Sequence, residues 1–268
     1  MAQLKESELK KQIKEKAFVP LYFLYGEEKY LISHYTEAIV NKVLGKSYSD
    51  FNFQAFDGGK ASIDEIADAA QALPLFAEHK CVLVKDLNVE ALNAGELAKL
   101  YHLLEELSET TVLIISQSTL EIDAKRSAKW KKFIAAAEKN GTAVLLEKRG
   151  EIALEKQLVQ WAEKRGCGLT QINAGKIIQL CGDDLLTLSS ELEKLCAYAV
   201  GREITKDDID LLVTKNLETT VFVLGNALMA GNYDKAYQQL DLLFYQKEEP
   251  VAVLAVLSSN YVNLYRVK

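Results

Sequence analysis

The sequence predicts an α/β fold in which a five-stranded parallel sheet domain is followed by an all-helical second half. Three observations predict it. Five apolar, strand-like runs alternate with helical stretches over the first 149 residues. The first run, Val19 to Tyr25 (VPLYFLY), is continuously apolar rather than alternating, which suits a strand buried on both faces of a parallel sheet. Beyond Gly150 no convincing strand recurs, and the apolar residues fall at helical spacing.

Gly26 ends the first run. The segment EEKYLISHYTEAIVNKVLG then places Ile32, Tyr35, Ile39 and Val43 on one helical stripe, and Gly45 stops it. Further strands are predicted at Phe51 to Phe56, Cys81 to Leu87, Val112 to Ile115 and Thr142 to Leu146. Helices are predicted between them at Ser62 to Ala72, Ala94 to Leu107 and Ala128 to Glu138. The Gly58-Gly59 pair makes a turn after the second strand.

The second half begins with a helix from Glu151 to Arg165, with Leu154, Leu158 and Trp161 inward. Another runs from Asn173 to Leu180 and is closed by Gly182. Leu185, Leu188, Leu192, Leu195 and Ala199 then recur every three or four residues along one face. Thr205 is a predicted N-cap with Asp208 three residues on, and Ile204 and Ile209 have the spacing of a hydrophobic staple. These helices form a small bundle up to Thr214. From Lys215 onward Tyr233, Tyr237, Leu240 and Phe244 make one stripe, and Leu254, Leu257, Tyr261 and Leu264 another. Gly231 and Pro250 punctuate these helices. The chain stops at Tyr265-Arg266-Val267-Lys268 inside a helical pattern, which predicts a shortened chain.

Composition is that of an ordinary globular protein: 268 residues, 49% hydrophobic and 26% charged. No apolar run reaches the roughly 20 residues needed to span a bilayer, and the charged, helical start MAQLKESELKKQIKEKAF has no apolar signal core. A cytoplasmic location is expected. The net charge of −6 argues against a protein that grips DNA by global attraction. Cys81, Cys167, Cys181 and Cys196 lack CxxC spacing, and His34, His79 and His102 lie far apart, so buried thiols are expected rather than a metal site.

A parallel α/β domain followed by a small helical lid resembles the AAA+ ATPase module. There the loop after the first strand reads GxxxxGK[ST], so that backbone N–H groups, a lysine and a hydroxyl hold phosphate and magnesium. Here that stretch is Gly26-Glu27-Glu28-Lys29-Tyr30-Leu31-Ile32-Ser33. The second glycine is missing, Glu27 and Glu28 stand where a triphosphate needs positive charge, and Lys29 is out of register. The third strand ends in a lone Asp86, read as a strand-end or turn residue rather than a paired-acid magnesium site. Ser116-Gln117-Ser118 stands where active relatives carry a nucleotide sensor, and is read as a remnant or simple loop. Neither a nucleotide cofactor nor intrinsic catalysis is expected.

The order of segments resembles the delta clamp-loader subunit of bacterial DNA polymerase III over the whole chain. The resemblance is carried by LYFLYGEEKYLI (Leu21 to Ile32), ALPLFAEHKCVLV (Ala72 to Val84), TVLII (Thr111 to Ile115), GDDLLTLSSELEKLCAYA (Gly182 to Ala199), ITKDDIDLLV (Ile204 to Val213) and VFVLGNALMAGNYDKA (Val221 to Ala236). The fourth is the most specific. The family implies three domains: an inactive AAA+-like α/β domain over 1–149, a helical lid over 150–214 and an all-helical collar, here incomplete, over 215–268. It implies a non-catalytic subunit of a DNA-directed DNA polymerase (nucleotidyltransferase) holoenzyme. Its implied partners are the beta sliding clamp, which it binds and opens for loading on primed DNA, and the other loader subunits delta-prime and gamma/tau. A DNA contact within the complex is compatible with it.

In that family a leucine-phenylalanine pair at a helix tip inserts into the clamp's apolar pocket. Leu75 and Phe76 stand at the matching positions, with Gln71 and Leu73 in support, and Pro74 interrupts the helix so that the next side chains can point outward. From the residues alone, Leu75 and Phe76 could equally be core residues leading into the third strand. Two rivals remain within the fold: an active AAA+ ATPase loader subunit, and a delta-prime-like arm. The delta-prime subunit carries a zinc-type cysteine cluster and a Ser-Arg-Cys motif, and this sequence has neither. A basic cluster, Lys125, Arg126, Lys129, Lys131 and Lys132, is read as a solvated helix face, with Trp130 and Phe133 as buried anchors.

Overall fold

The computed structural model describes residues 6–45, 49–123 and 126–267, less the side chains of 263, 264 and 267. Residues 1–5 of the charged start, Lys125 of the basic cluster and the Leu264 side chain lie outside the described residues. The chain divides into two compact units, 1–148 and 149–268.

The first unit runs α1 (Glu6–Glu15), β1 (Leu21–Tyr25), α2 (Lys29–Leu44), β2 (Phe53–Asp57), α3 (Ile63–Gln71), β3 (Lys80–Lys85), α4 (Ala94–Glu105), β4 (Thr111–Ser116), α5 (Ala128–Asn140) and β5 (Thr142–Leu145). The five strands form one parallel sheet in the order β2-β3-β4-β1-β5. All five residues of β1 are buried, as its unbroken apolar run requires of an inner strand covered on both faces. Helices α1 and α2 pack on one face, and α3, α4 and α5 on the other. On the second face Phe23 stacks on Tyr25 at 4.7 Å between ring centroids and meets Phe133 edge-on at 4.9 Å. Trp130 and Phe133 are fully buried there. Each such aromatic contributes roughly 1.5–3 kcal/mol by leaving water.

Of the strand boundaries that differ from the sequence reading, two have a clear local reason. β2 starts at Phe53 rather than Phe51, because the N–H groups of Asn52 and Phe53 both donate to the Ser49 carbonyl and close a turn. β3 stops at Lys85 rather than Leu87, because Asp86 takes φ +55°, outside strand conformation.

The second unit is helical throughout: α6 (Glu151–Lys164), α7 (Gln171–Cys181), α8 (Leu185–Tyr198), α9 (Lys206–Leu212), α10 (Leu217–Met229), α11 (Tyr233–Tyr245) and α12 (Pro250–Val267). The predicted stripe Leu185, Leu188, Leu192, Leu195 and Ala199 is fully buried. Trp161 is only half-buried, and its ring lies beneath the Arg165 guanidinium at 5.9 Å instead of turning fully inward. Helices α10–α12 share a separate small core of Val221, Leu224, Ala227, Ala236, Leu243 and Val253. On α11 it is Ala236 and Leu243 that turn inward. Tyr233, Tyr237 and Phe244 are exposed and line an apolar groove with Leu254 and Leu257.

Thr205 caps α9 in the predicted capping box with Asp208. The Asp208 carboxylate also accepts two bonds from the Arg202 guanidinium, at 2.6 and 3.0 Å. Arg202 first, and the Thr205 backbone N–H second, hold the Asp208 carboxyl well below its ordinary value of 3.8. A depressed folded-state value means the contribution is complete above the unfolded value and is lost as pH falls through it toward the folded one. Asp208→Asn is therefore expected to lower the melting midpoint at neutral pH and to flatten its decline below about pH 4. Circular-dichroism melts across pH check this, and an unchanged acid slope would refute it.

Candidate functional site

In a parallel sheet every strand starts at one edge and ends at the other. Loops leading into β2, β3 and β4 therefore gather at one edge, and loops leaving β1, β3 and β4 at the opposite one. The six residues of β3 separate the edges by roughly 20 Å. The sequence points to both.

Gly26, Glu27, Glu28 and Lys29 lie at the edge where strands end. Gly26 has φ +134°, and a Cβ there would sit 2.2 Å from the Leu146 carbonyl oxygen. Its bare backbone lets the ends of β1 and β5 come together, with Leu146 N–H donating to Tyr25 and Glu28 N–H donating to Leu146. Glu27 is exposed and Glu28 is buried. The Lys29 ammonium reaches across to the loop after β4 and donates to the carbonyls of Gln117 at 3.0 Å and Leu120 at 2.7 Å. Desolvation lowers its pKa, against the attraction of Asp86 and Glu121.

Asp86 grips the same loop. Its carboxylate accepts from Thr119 N–H at 2.8 Å, Thr119 Oγ1 at 2.9 Å and Leu120 N–H at 3.1 Å. It is thus a turn residue stitching two loops together. Gln117 is fully buried, with its backbone N–H on Leu24 and its side-chain amide donating to Leu87. Lys29, Asp86 and Gln117, at positions matching a phosphate loop, a magnesium acid and a sensor, each bond through the side chain to the protein's own backbone.

At the opposite edge lie Gln71, Leu73, Leu75 and Phe76. α3 starts at a capping box between Ser62 and Glu65 and ends at Gln71. Ala72 is already extended, as fits a segment two residues from Pro74. Gln71 is exposed, Leu73 is 77% exposed, Leu75 45% and Phe76 97%. Phe76 takes φ +52°, a conformation uncommon for a residue with a Cβ. The core alternative does not hold for Phe76. A groove of about 400 Å³ between α3 and α4 runs up to Gln71, lined also by Ala67, Ala98 and Leu103.

Two residues at this edge escaped the sequence reading. The Thr111 hydroxyl donates to the Ala70 carbonyl at 2.8 Å. The Asn52 amide accepts from Leu75 N–H at 2.7 Å and donates to the Leu75 carbonyl at 2.8 Å. Asn52 fell inside a predicted strand, yet asparagine is depleted in strands and favoured in turns, and that was the available signal.

The other candidates resolve into structural roles. Lys129 donates to the carbonyls of Glu90 and Leu92, Lys132 lies over the Tyr101 ring at 4.8 Å, and Arg126 pairs with Asp123. All four cysteines are buried, and burial pushes the Cys81, Cys181 and Cys196 thiols up to about 12. Among the described residues no group of three or more His, Cys, Asp or Glu could hold a metal ion, and no helix is long and apolar enough to cross a membrane.

The family model described as DNA polymerase III, delta subunit matches residues 22–145, the segment that holds both edges. The DNA polymerase III subunit delta of Bacillus subtilis is 26% identical over 275 residues, spanning 96% of this chain and 75% of that protein. A probable DNA polymerase III subunit delta of Aquifex aeolicus is 25% identical over 265 residues, spanning 95% and 71%. The solved structure of the Bacillus subtilis DNA clamp loader delta protein has the same fold, with a TM-score of 0.72 at 24% identity, over 94% of this chain and 75% of that one. In sequence and in fold the chain is similar to DNA polymerase III delta subunits, among them a clamp loader delta protein.

Proposed function

We propose that this chain binds the beta sliding clamp through Leu75 and Phe76, aided by Leu73 and Gln71, and favours the opened ring. The observation that carries the reading is an apolar tip turned to solvent: Phe76 is 97% exposed beside exposed Leu73 and part-exposed Leu75. Moving a leucine and a phenylalanine into an apolar pocket yields roughly 3–6 kcal/mol before ordering costs. A tip of this kind cannot drive a ring apart by tight binding alone. It shifts the ring's equilibrium only by as much as it binds the parted interface better than the closed one.

The reading extends to the rest of the chain. The 1–149 domain would present the tip, 150–214 would act as lid, and 215–268 would form part of a collar joining delta-prime and gamma/tau. The work would be cytoplasmic, during replication, with DNA contacts arising only within the assembly. Lys29 and Asp86, committed to the 117–120 loop, support an arm that does not take nucleotide.

Capture of a purified beta clamp by the wild-type protein, and its loss in Leu75→Ala/Phe76→Ala, tests the tip. Equal capture by both would reject it. For the nucleotide-free reading, 1 mM magnesium-ATP is expected to leave the melting midpoint unmoved, whereas a site with a Kd of about 10 μM would add about 2.7 kcal/mol. A rise of more than about 5 °C would overturn that part.

A further inference from the structure

We propose that Asn52 is the positioning residue of the clamp-binding tip, a role that rests on the reading of Leu75 and Phe76 above. The bond pattern is specific. One side-chain amide meets both polar atoms of a single backbone unit 23 residues away, with Oδ1 receiving the Leu75 N–H at 2.7 Å and Nδ2 donating to the Leu75 carbonyl at 2.8 Å. In effect the side chain acts as a short piece of strand edge, giving Leu75 the two bonds it would make in a sheet.

Asn52 is itself fixed. It is 2% exposed, its N–H donates to Ser49, and its carbonyl receives the Cys81 N–H at 2.8 Å, just where β3 begins. The anchor thus belongs to the rigid edge of the sheet, while the residue it holds belongs to the irregular segment between Gln71 and Lys80. Thr111, at the start of β4, holds the last turn of α3 from the other side through Ala70. Between these two pins the backbone carries Leu73 and Leu75 outward and places Phe76 at φ +52°.

A loop that already has its bound shape loses less freedom on docking, so holding it raises affinity without any new contact to the partner. Asn52 touches no partner in this scheme; it acts through Leu75. Releasing the anchor should weaken docking without altering the apolar side chains that dock.

The test uses the full chain and a purified beta clamp. Asn52→Ala removes both bonds. Asn52→Asp keeps an acceptor for the Leu75 N–H but loses the donor, and serves as a second variant should Asn52→Ala fail to fold. Hydrogen exchange at the Leu75 amide, read without any clamp, is expected to quicken at least about tenfold in Asn52→Ala and less in Asn52→Asp. Clamp affinity is expected to fall about tenfold in Asn52→Ala, and this loss should vanish in a Leu75→Ala/Phe76→Ala background. Unchanged Leu75 exchange in both variants would overturn the proposal. So would an affinity loss of equal size with the tip already truncated, since that would mark general destabilisation. If truncating the tip leaves clamp affinity intact, the tip reading itself fails, and the clamp-free exchange rates separate that outcome from a failure of the Asn52 anchor.

Discussion

Leu75→Ala/Phe76→Ala should lower affinity for the beta clamp by about 100-fold or more, while the melting midpoint stays within about 1 °C of wild type. The size follows from what the two side chains bury on docking, less the cost of ordering them. The absence of a stability effect follows from their position, because Phe76 at 97% exposure has little to lose on truncation. Leu75 is 45% exposed, so Phe76→Ala alone should account for more of the loss than Leu75→Ala. Titration calorimetry or surface-based binding, run beside thermal melts, reads both quantities. A large fall in midpoint with a small fall in affinity would mean that the tip belongs to the fold rather than to the partner.

Gly26→Ala should destabilise the protein by about 3 kcal/mol or more, the largest single-site effect expected at the edge where the strands end. Two costs combine. A residue with a Cβ rarely adopts φ +134°, and the new atom would meet Leu146 backbone at 2.2 Å, with no flexible side chain to yield. The ends of β1 and β5 would have to part. Gly45→Ala is the matched comparison, since Gly45 also has positive φ but nothing lies within 4 Å of its would-be Cβ; strain alone should cost about 1 kcal/mol there. Denaturant unfolding of the two variants decides the matter. A mild Gly26→Ala would mean that this glycine is not required for strand packing.

Much of the fold was legible because its signals are local. The unbroken run in β1 announced burial on both faces, the leucine stripe of α8 announced an inward face, and Thr205 with Asp208 announced the start of α9. What was illegible depends on distant partners. Lys29 and Gln117 are 88 residues apart, and nothing near Lys29 says that its ammonium is taken up by that loop. Asp86 is the strand-end or turn residue that the sequence predicts, but the partners that hold it, Thr119 and Leu120, lie 33 and 34 residues away. A stripe shows which side of a helix is apolar but not what covers it. The tyrosines of α11 fell on the predicted stripe and yet stand exposed, because Ala236 and Leu243 supply the face that packs. For the tip, sequence supplied the side chains, while their exposure and the Asn52 anchor needed the folded chain.

The parallel arrangement of β1, β3 and β4 has a practical consequence. Since the sealed loops and the apolar tip occupy opposite ends of the same strands, a designer could recut one without retuning the other. Grafting a working nucleotide cradle after β1 would call for changes at Glu27, Glu28 and the 117–120 loop, all a strand's length from Phe76. The result would be a chimera with two independent handles on one rigid plate.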